Sequence, residues 1–144
     1  MKKVLIFGVL DTAELAHYYL SELDDVEVVG FTLHSEYIKD EKFKGLTVYP
    51  FENIENEFPI EEYLLFAPMT GRRMNRDREA VFNEGKKKGY SFYSYISPKV
   101  TVYNNEIGEN CFILEDNTLQ PFTEVGNNVV MWSGNHLGHR SVIE

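Results

Sequence analysis

A single cysteine and no long apolar run set the first limits on this chain. With Cys111 alone it cannot close an internal disulfide, which fits a reducing cytoplasm. No segment approaches the ~20 consecutive apolar residues that span a bilayer. The opening Met1-Lys2-Lys3-Val4-Leu5-Ile6-Phe7-Gly8 has the basic start of a secretory signal, but its apolar stretch is too short, and Asp11 and Glu14 follow too soon. Positive charge is scarce: 14 Lys and Arg against 23 Asp and Glu leave a net charge of -9 and a pI near 4.9. Such a chain is a poor partner for nucleic acid or an anionic membrane, so an anionic ligand must be met by a local cluster or by backbone donors. Glycine is missing where a dinucleotide loop would need it. Only Gly8 stands after the first apolar run, and without a complete G-x-G-x-x-G a nicotinamide-dependent oxidoreductase is rejected. No serine or cysteine nucleophile motif is present. The four histidines (His17, His34, His136, His139) include one close pair with no third ligand in register, so no metal site is expected.

What is present is a period. Ile107, Ile113, Leu119, Val125, Met131, Leu137 and Ile143 follow one another at six-residue steps. Four residues after the members come small or compact ones: Cys111, Asn117, Thr123, Val129, Asn135 and Ser141. Gly108, Gly126 and Gly138 directly follow three of them. Six residues make one short strand and a turn, and three such units make one triangular coil. Stacked coils form a parallel β-helix with the apolar residue inward and the small one near the corner. An α-helix cannot keep this phase, because a period of six drifts off the 3.6-residue repeat. Cys111 falls at a small inward position and reads as structural.

The first two thirds read differently. Lys3 to Phe7 is a buried strand ending at Gly8. Asp11 or Thr12 can cap a helix running to about Leu23. Val26 to Phe31, Leu46 to Tyr49, Tyr63 to Ala67 and Tyr90 to Ile96 read as further strands, and Pro50 to Phe58 as a short helix. A longer amphipathic helix runs from about Arg73 to Lys88, with Met74, Ala80 and Val81 inward and Arg76, Asp77, Arg78 and Glu79 largely outward. Gly89 ends it after Lys86-Lys87-Lys88. Strands alternating with helices predict an α/β unit with a parallel sheet. Ser97-Pro98 marks the boundary, so residues 1–97 form one domain and residues 98–144 begin the second. The chain stops one residue into a new hexad, after little more than two coils and with no visible cap. A solenoid end needs one, so the reading is a truncated piece, or a short form whose end a partner covers.

An α/β unit followed by hexads resembles bacterial sugar acyltransferases of the sialic-acid O-acetyltransferase type. The likeness is carried by Tyr95-Ile96-Ser97-Pro98-Lys99 through Ile113, by Gln120-Pro121-Phe122, and above all by Trp132-Ser133-Gly134-Asn135-His136-Leu137-Gly138-His139-Arg140-Ser141. The resemblance implies a small Rossmann-like domain that holds a nucleotide-activated sugar, followed by a left-handed parallel β-helix, incomplete here. It further implies a homotrimer with acetyl-CoA in the groove between neighbouring helices, and acetyl transfer for surface polysaccharide or glycan synthesis. Carried over from that family by hexad phase, the general base falls on His139, and His136 beside it could bind substrate, orient the pair or only fill a turn. An imidazole titrates near ~6.5 and accepts a proton at neutral pH.

Other candidates follow from position. Gly8, Asp11 and Thr12 lie at a strand-to-helix loop, where a helix N-terminus can receive phosphate. Asp11 would repel it unless its side chain caps the helix. Phe31-Thr32-Leu33-His34 stands after the second strand, where such folds place an acidic residue. Thr32 is a substrate-binding candidate there. Thr70 and Arg72, after the fourth strand, could meet a diphosphate or simply be solvated. Asn135 could bind ligand or support a left-handed corner. The acidic residues that flank the base in related enzymes are replaced by Gly138 and Arg140, and Glu115 or Glu124 could supply a carboxylate instead. The rival reading is a non-catalytic nucleotide-sugar-binding or assembly module.

Overall fold

The computed structural model describes residues 1–68, 72–134, 136–137 and 142–143. These divide into two units, Met1–Phe92 and Tyr93–Glu144.

In the first unit the apolar run becomes β1 (Lys2–Phe7), an inner strand of a five-stranded sheet. β2 (Val26–Leu33) and β5 (Tyr63–Phe66) flank it in parallel, and β4 (Leu46–Pro50) pairs in parallel with β2. β3 (Lys42–Phe43) closes the edge as an antiparallel hairpin with β4, through Lys44 and Gly45, both at positive φ. The expected helices are α1 (Asp11–Ser21) and α2 (Arg72–Lys88), and the expected short helix is a 3-10 stretch over Phe51–Asn56. Val4, Leu5 and Ile6 are buried because both neighbours of β1 are strands and both its faces are covered. Arg78 departs from its expected place on the outer side of α2 and is buried.

The core beside Leu5, Leu65 and Val81 is built largely from aromatic rings. Edge-to-face contacts join Phe7 to Phe51, Tyr49 to Phe58 and Phe58 to Tyr63. Tyr90 ends this core, with its hydroxyl donating to the Phe58 carbonyl. Burial, with help from the Glu55 charge, pushes the phenol up to about 12 from an ordinary 10.0. A raised pKa means that the neutral phenol stabilises the fold below pH 10, and that this contribution is lost as pH climbs from about 10 towards 12. Denaturant titrations between pH 8 and 11.5 are expected to show a fall in stability above pH 10 that is shallower in Tyr90→Phe, and that variant loses on the order of 1 kcal/mol at neutral pH.

The stretch expected as one strand from Tyr90 to Ile96 is split. Phe92 bridges to Leu65 in the first sheet, whereas β6 (Tyr95–Ile96) pairs with β8 (Phe112–Ile113) in the second unit. There the hexads become two-residue strands. β7 (Glu106–Ile107), β10 (Glu124–Val125) and β13 (Val142–Ile143) form one parallel sheet. β6, β8 and β11 (Val130–Met131) form a second, and β9 (Thr118–Leu119) with β12 (His136–Leu137) a third. Successive strands therefore visit three sheets in rotation, and each stacks on the strand three hexads earlier. Cys111, Ile113, Leu119, Val125, Val129 and Met131 make the buried interior. The first coil lies outside the strict period. Tyr95 pairs with Phe112 and Thr101 with Thr118, one residue short of the Glu106–Glu124 spacing, so the phase slips between Thr101 and Glu106.

The corners form a second ladder. Asn104, Asn110, Asp116, Phe122, Asn128 and Gly134 all have positive φ. Asparagine, aspartate and glycine tolerate this backbone, and Phe122 is the exception. The left-handed position is thus one residue before the small inward series, on the column of Gly134 and not on that of Asn135, which itself lies outside the described residues. The small series points inward: Cys111, Asn117 and Thr123 are almost fully buried. Asn117 donates to the Leu114 carbonyl at 2.7 Å. Gly108 answers to close approach, since a Cβ there would sit 2.7 Å from the Gly126 backbone one coil away.

Candidate functional site

The carboxyl ends of β1 and β2, the start of α1 and one face of α2 surround a cavity of about 790 Å³ in the first unit. A parallel sheet presents its ligand crevice at such strand ends. Gly8 lines it with φ +115°, a conformation that favours glycine and lets the chain turn from β1 into α1. Thr12 and Ala13 line it from the first turn of α1. The N-cap position is Leu10, and no side chain caps the helix. The expected cap from Asp11 or Thr12 is therefore not made. The first-turn N–H groups have no intrahelical acceptor and carry the positive end of the helix dipole. Asp11 is exposed and is not on the cavity wall. Thr32 is not there either: it is fully buried, with its hydroxyl donating to the Tyr49 carbonyl at 2.7 Å and its own carbonyl accepting from Gly8 N–H at 3.0 Å. Its part is to tie β2 to β4 and to anchor the glycine turn.

The wall opposite α1 was not read from the sequence as a site. His34 follows β2 and packs edge-on against Phe7 and Phe51 at 5.5 and 5.3 Å. Its Nε2 lies 2.9 Å from Oε2 of Glu84 on α2. Asp77, Ala80, Val81 and Glu84 all line the cavity, with the spacing of one helical face. That spacing was visible in the sequence, but Asp77 within it looked like solvated surface. Leu10 and Tyr37 line the cavity as well and are otherwise exposed at 64% and 62%. Thr70 lies outside the described residues. Arg72 begins α2, and its side chain lies outside the described set.

In the second unit, β12 sets His136 in register with Thr118, and Leu137 with Leu119, one coil below. His136 is described only in its strand, and His139 lies outside the described residues. The two carboxylates considered as partners are separated by the sheet rotation. Glu115 lies between β8 and β9 and accepts from Ser133 at 2.6 Å, on the turn leading into β12. Glu124 belongs to β10, beside Glu106, and both line a hollow of about 610 Å³ with Tyr103 and Phe122. Among the described residues no cluster of three metal-ligating side chains occurs, and no helix is long and apolar enough to cross a membrane.

No protein-family model and no curated protein sequence matches the chain. Solved structures do. The acetyltransferase domain of PglB from Neisseria gonorrhoeae superposes with a TM-score of 0.79 at 14% identity, over 99% of this chain and 67% of that one. It is also known in complex with acetyl coenzyme A. PerB from Caulobacter crescentus, in complex with CoA and GDP-perosamine, gives a TM-score of 0.72 at 18% identity, over 99% of this chain and 68% of that one. A histidine-to-asparagine mutant of perosamine N-acetyltransferase from the same organism gives 0.75 at 16% identity, over 95% and 63%. The chain thus spans about two thirds of the length of these structures, and at such identities the likeness defines the fold alone.

Proposed function

We propose that this chain carries out acetyl transfer from acetyl-CoA to a nucleotide-linked amino sugar or similar sugar, feeding surface polysaccharide or glycan synthesis. The observation that carries the reading is a fold shared along nearly the whole chain with two kinds of acetyltransferase, one solved with acetyl coenzyme A and the other with CoA and GDP-perosamine. The first unit is read as a Rossmann-like domain whose cavity takes the nucleotide sugar. Gly8 and Thr12 present the uncapped start of α1 to a phosphate, with Thr70 and Arg72 available from the segment after β5. The second is read as a left-handed parallel β-helix that assembles as a homotrimer and holds acetyl-CoA between neighbouring subunits. Asn135, one residue past the corner column, is available to hydrogen-bond the acceptor.

His139 is the proposed base. It takes the proton from the sugar amine or hydroxyl as that atom attacks the thioester carbonyl. The carbon–sulfur bond then breaks, the protonated His139 gives its proton to the departing sulfur, and CoA leaves as the thiol. A backbone N–H of an adjoining coil or subunit stabilises the oxyanion between these events.

The test is thiol release from acetyl-CoA by the full chain with UDP-, dTDP- and GDP-linked amino sugars. Release that depends on the sugar is expected. An assembled protein that releases no thiol with any of them would leave the binding module as the better description.

A further inference from the structure

We infer that Glu84, held by His34, is the ribose reader of the first-unit cavity, and that the cavity selects a ribonucleoside diphosphate over its 2′-deoxy counterpart. The inference rests on the nucleotide-sugar reading of that cavity. In parallel sheets of this kind, a carboxylate at the end of the second strand accepts the ribose hydroxyls of a bound nucleotide. Here β2 ends at Leu33 and is followed by an imidazole, so no carboxylate stands at the strand end itself, and Glu36 lines the cavity only from the turn that follows.

The structure brings one in from α2 instead. Glu84 is 50 residues further along the chain, yet both its oxygens approach His34 Nε2, at 2.9 and 3.4 Å. The imidazole is itself fixed by the rings of Phe7 and Phe51, so it acts as a rigid post against which the carboxylate is oriented. Both residues line the same cavity as Gly8 and Thr12 at the start of α1. Glu84 retains 44% side-chain exposure, so its remaining lone pairs are open to a ligand. A carboxylate has about four acceptor sites and no donor. His34 occupies one and leaves capacity for hydroxyl donors, the hydrogen-bonding partners that a ribose offers and a phosphate does not. The apolar part of the wall, Leu10 and Tyr37, suits the flat face of a base.

The experiment is calorimetric titration of the full chain with matched pairs: UDP against dUDP, and GDP against dGDP. The unsubstituted protein is expected to prefer the ribonucleotide of at least one pair by about tenfold or more, the size of one hydrogen bond to a charged group. Glu84→Gln is expected to lower that ratio towards one by weakening the ribonucleotide more than its 2′-deoxy partner, with an unaltered thermal midpoint. His34→Ala should lower the ratio partway, since it frees the carboxylate without removing it. Ribo and deoxy affinities that fall together in Glu84→Gln, or a ratio near one in the unsubstituted protein, would overturn the assignment and leave the nucleotide site intact. Failure of all four nucleotides to bind would overturn both.

Discussion

Replacing His139 by alanine is expected to slow sugar-dependent thiol release by about 10²–10⁴-fold, the contribution of a positioned general base. The attacking amine or hydroxyl must lose a proton as the carbon–oxygen or carbon–nitrogen bond forms, and at neutral pH an ordinary imidazole is largely in the accepting form. The loss should fall on kcat with little change in KM, because the proton transfer belongs to the transition state and not to sugar binding. The acid limb of the rate profile should vanish in the variant. A merely structural histidine would lower both parameters and the thermal midpoint together. His136→Ala is the companion experiment. Its strand neighbour is Thr118, and the turn leading to it is braced by the Ser133–Glu115 hydrogen bond. If His136→Ala abolishes the reaction and His139→Ala spares it, the base is His136.

How much of this was legible depends on whether a feature is written in neighbouring residues or in distant ones. The six-residue period states the architecture of the second unit outright, because every inward position is a fixed step from the last. The same period stops at Ile107, since one residue is missing from the first coil, and β6 was therefore read as the end of the first sheet. The left-handed column was set one residue too late because asparagine occurs in both series: Asn117 inward, and Asn110 and Asn128 at the corners. Partners for polar side chains in a stack are a coil away, as for Asn110 with Asn128 and Ser133 with Glu115. A search for carboxylates adjacent to a histidine overlooks such partners. In the first unit, the position of Gly8 and Thr12 at a strand-to-helix turn on the cavity wall was legible from the strand–glycine–helix order. Thr32 was misjudged because alternation along β2 does not tell a residue facing the crevice from one tied to the next strand. The His34–Glu84 pair joins the end of β2 to the middle of α2, and no local pattern announces it.

The stacked interior makes a second large effect calculable. Leu119→Ala is expected to destabilise the chain by about 2–5 kcal/mol, the cost of removing a fully buried leucine whose surroundings cannot collapse. Collapse is resisted from both sides. Its strand hydrogen-bonds to the coil below, with Leu119 N–H reaching the Thr101 carbonyl at 2.9 Å. Above, it pairs in register with Leu137. Closing the void would require a coil to shift along the axis, which the ladders of the other two sheets oppose. Phe122→Ala supplies the contrast. It removes a larger side chain three residues later, but the ring is 70% exposed, and the change is expected to stay within about 0.5 kcal/mol. The pair separates the role of position in the six-residue period from that of side-chain size. Equal losses in chemical denaturation would mean that the interior assigned by the repeat is not what holds the coils together. A loss confined to Leu119→Ala, in one cooperative transition, is the behaviour of a stack in which each coil is stabilised through its neighbours.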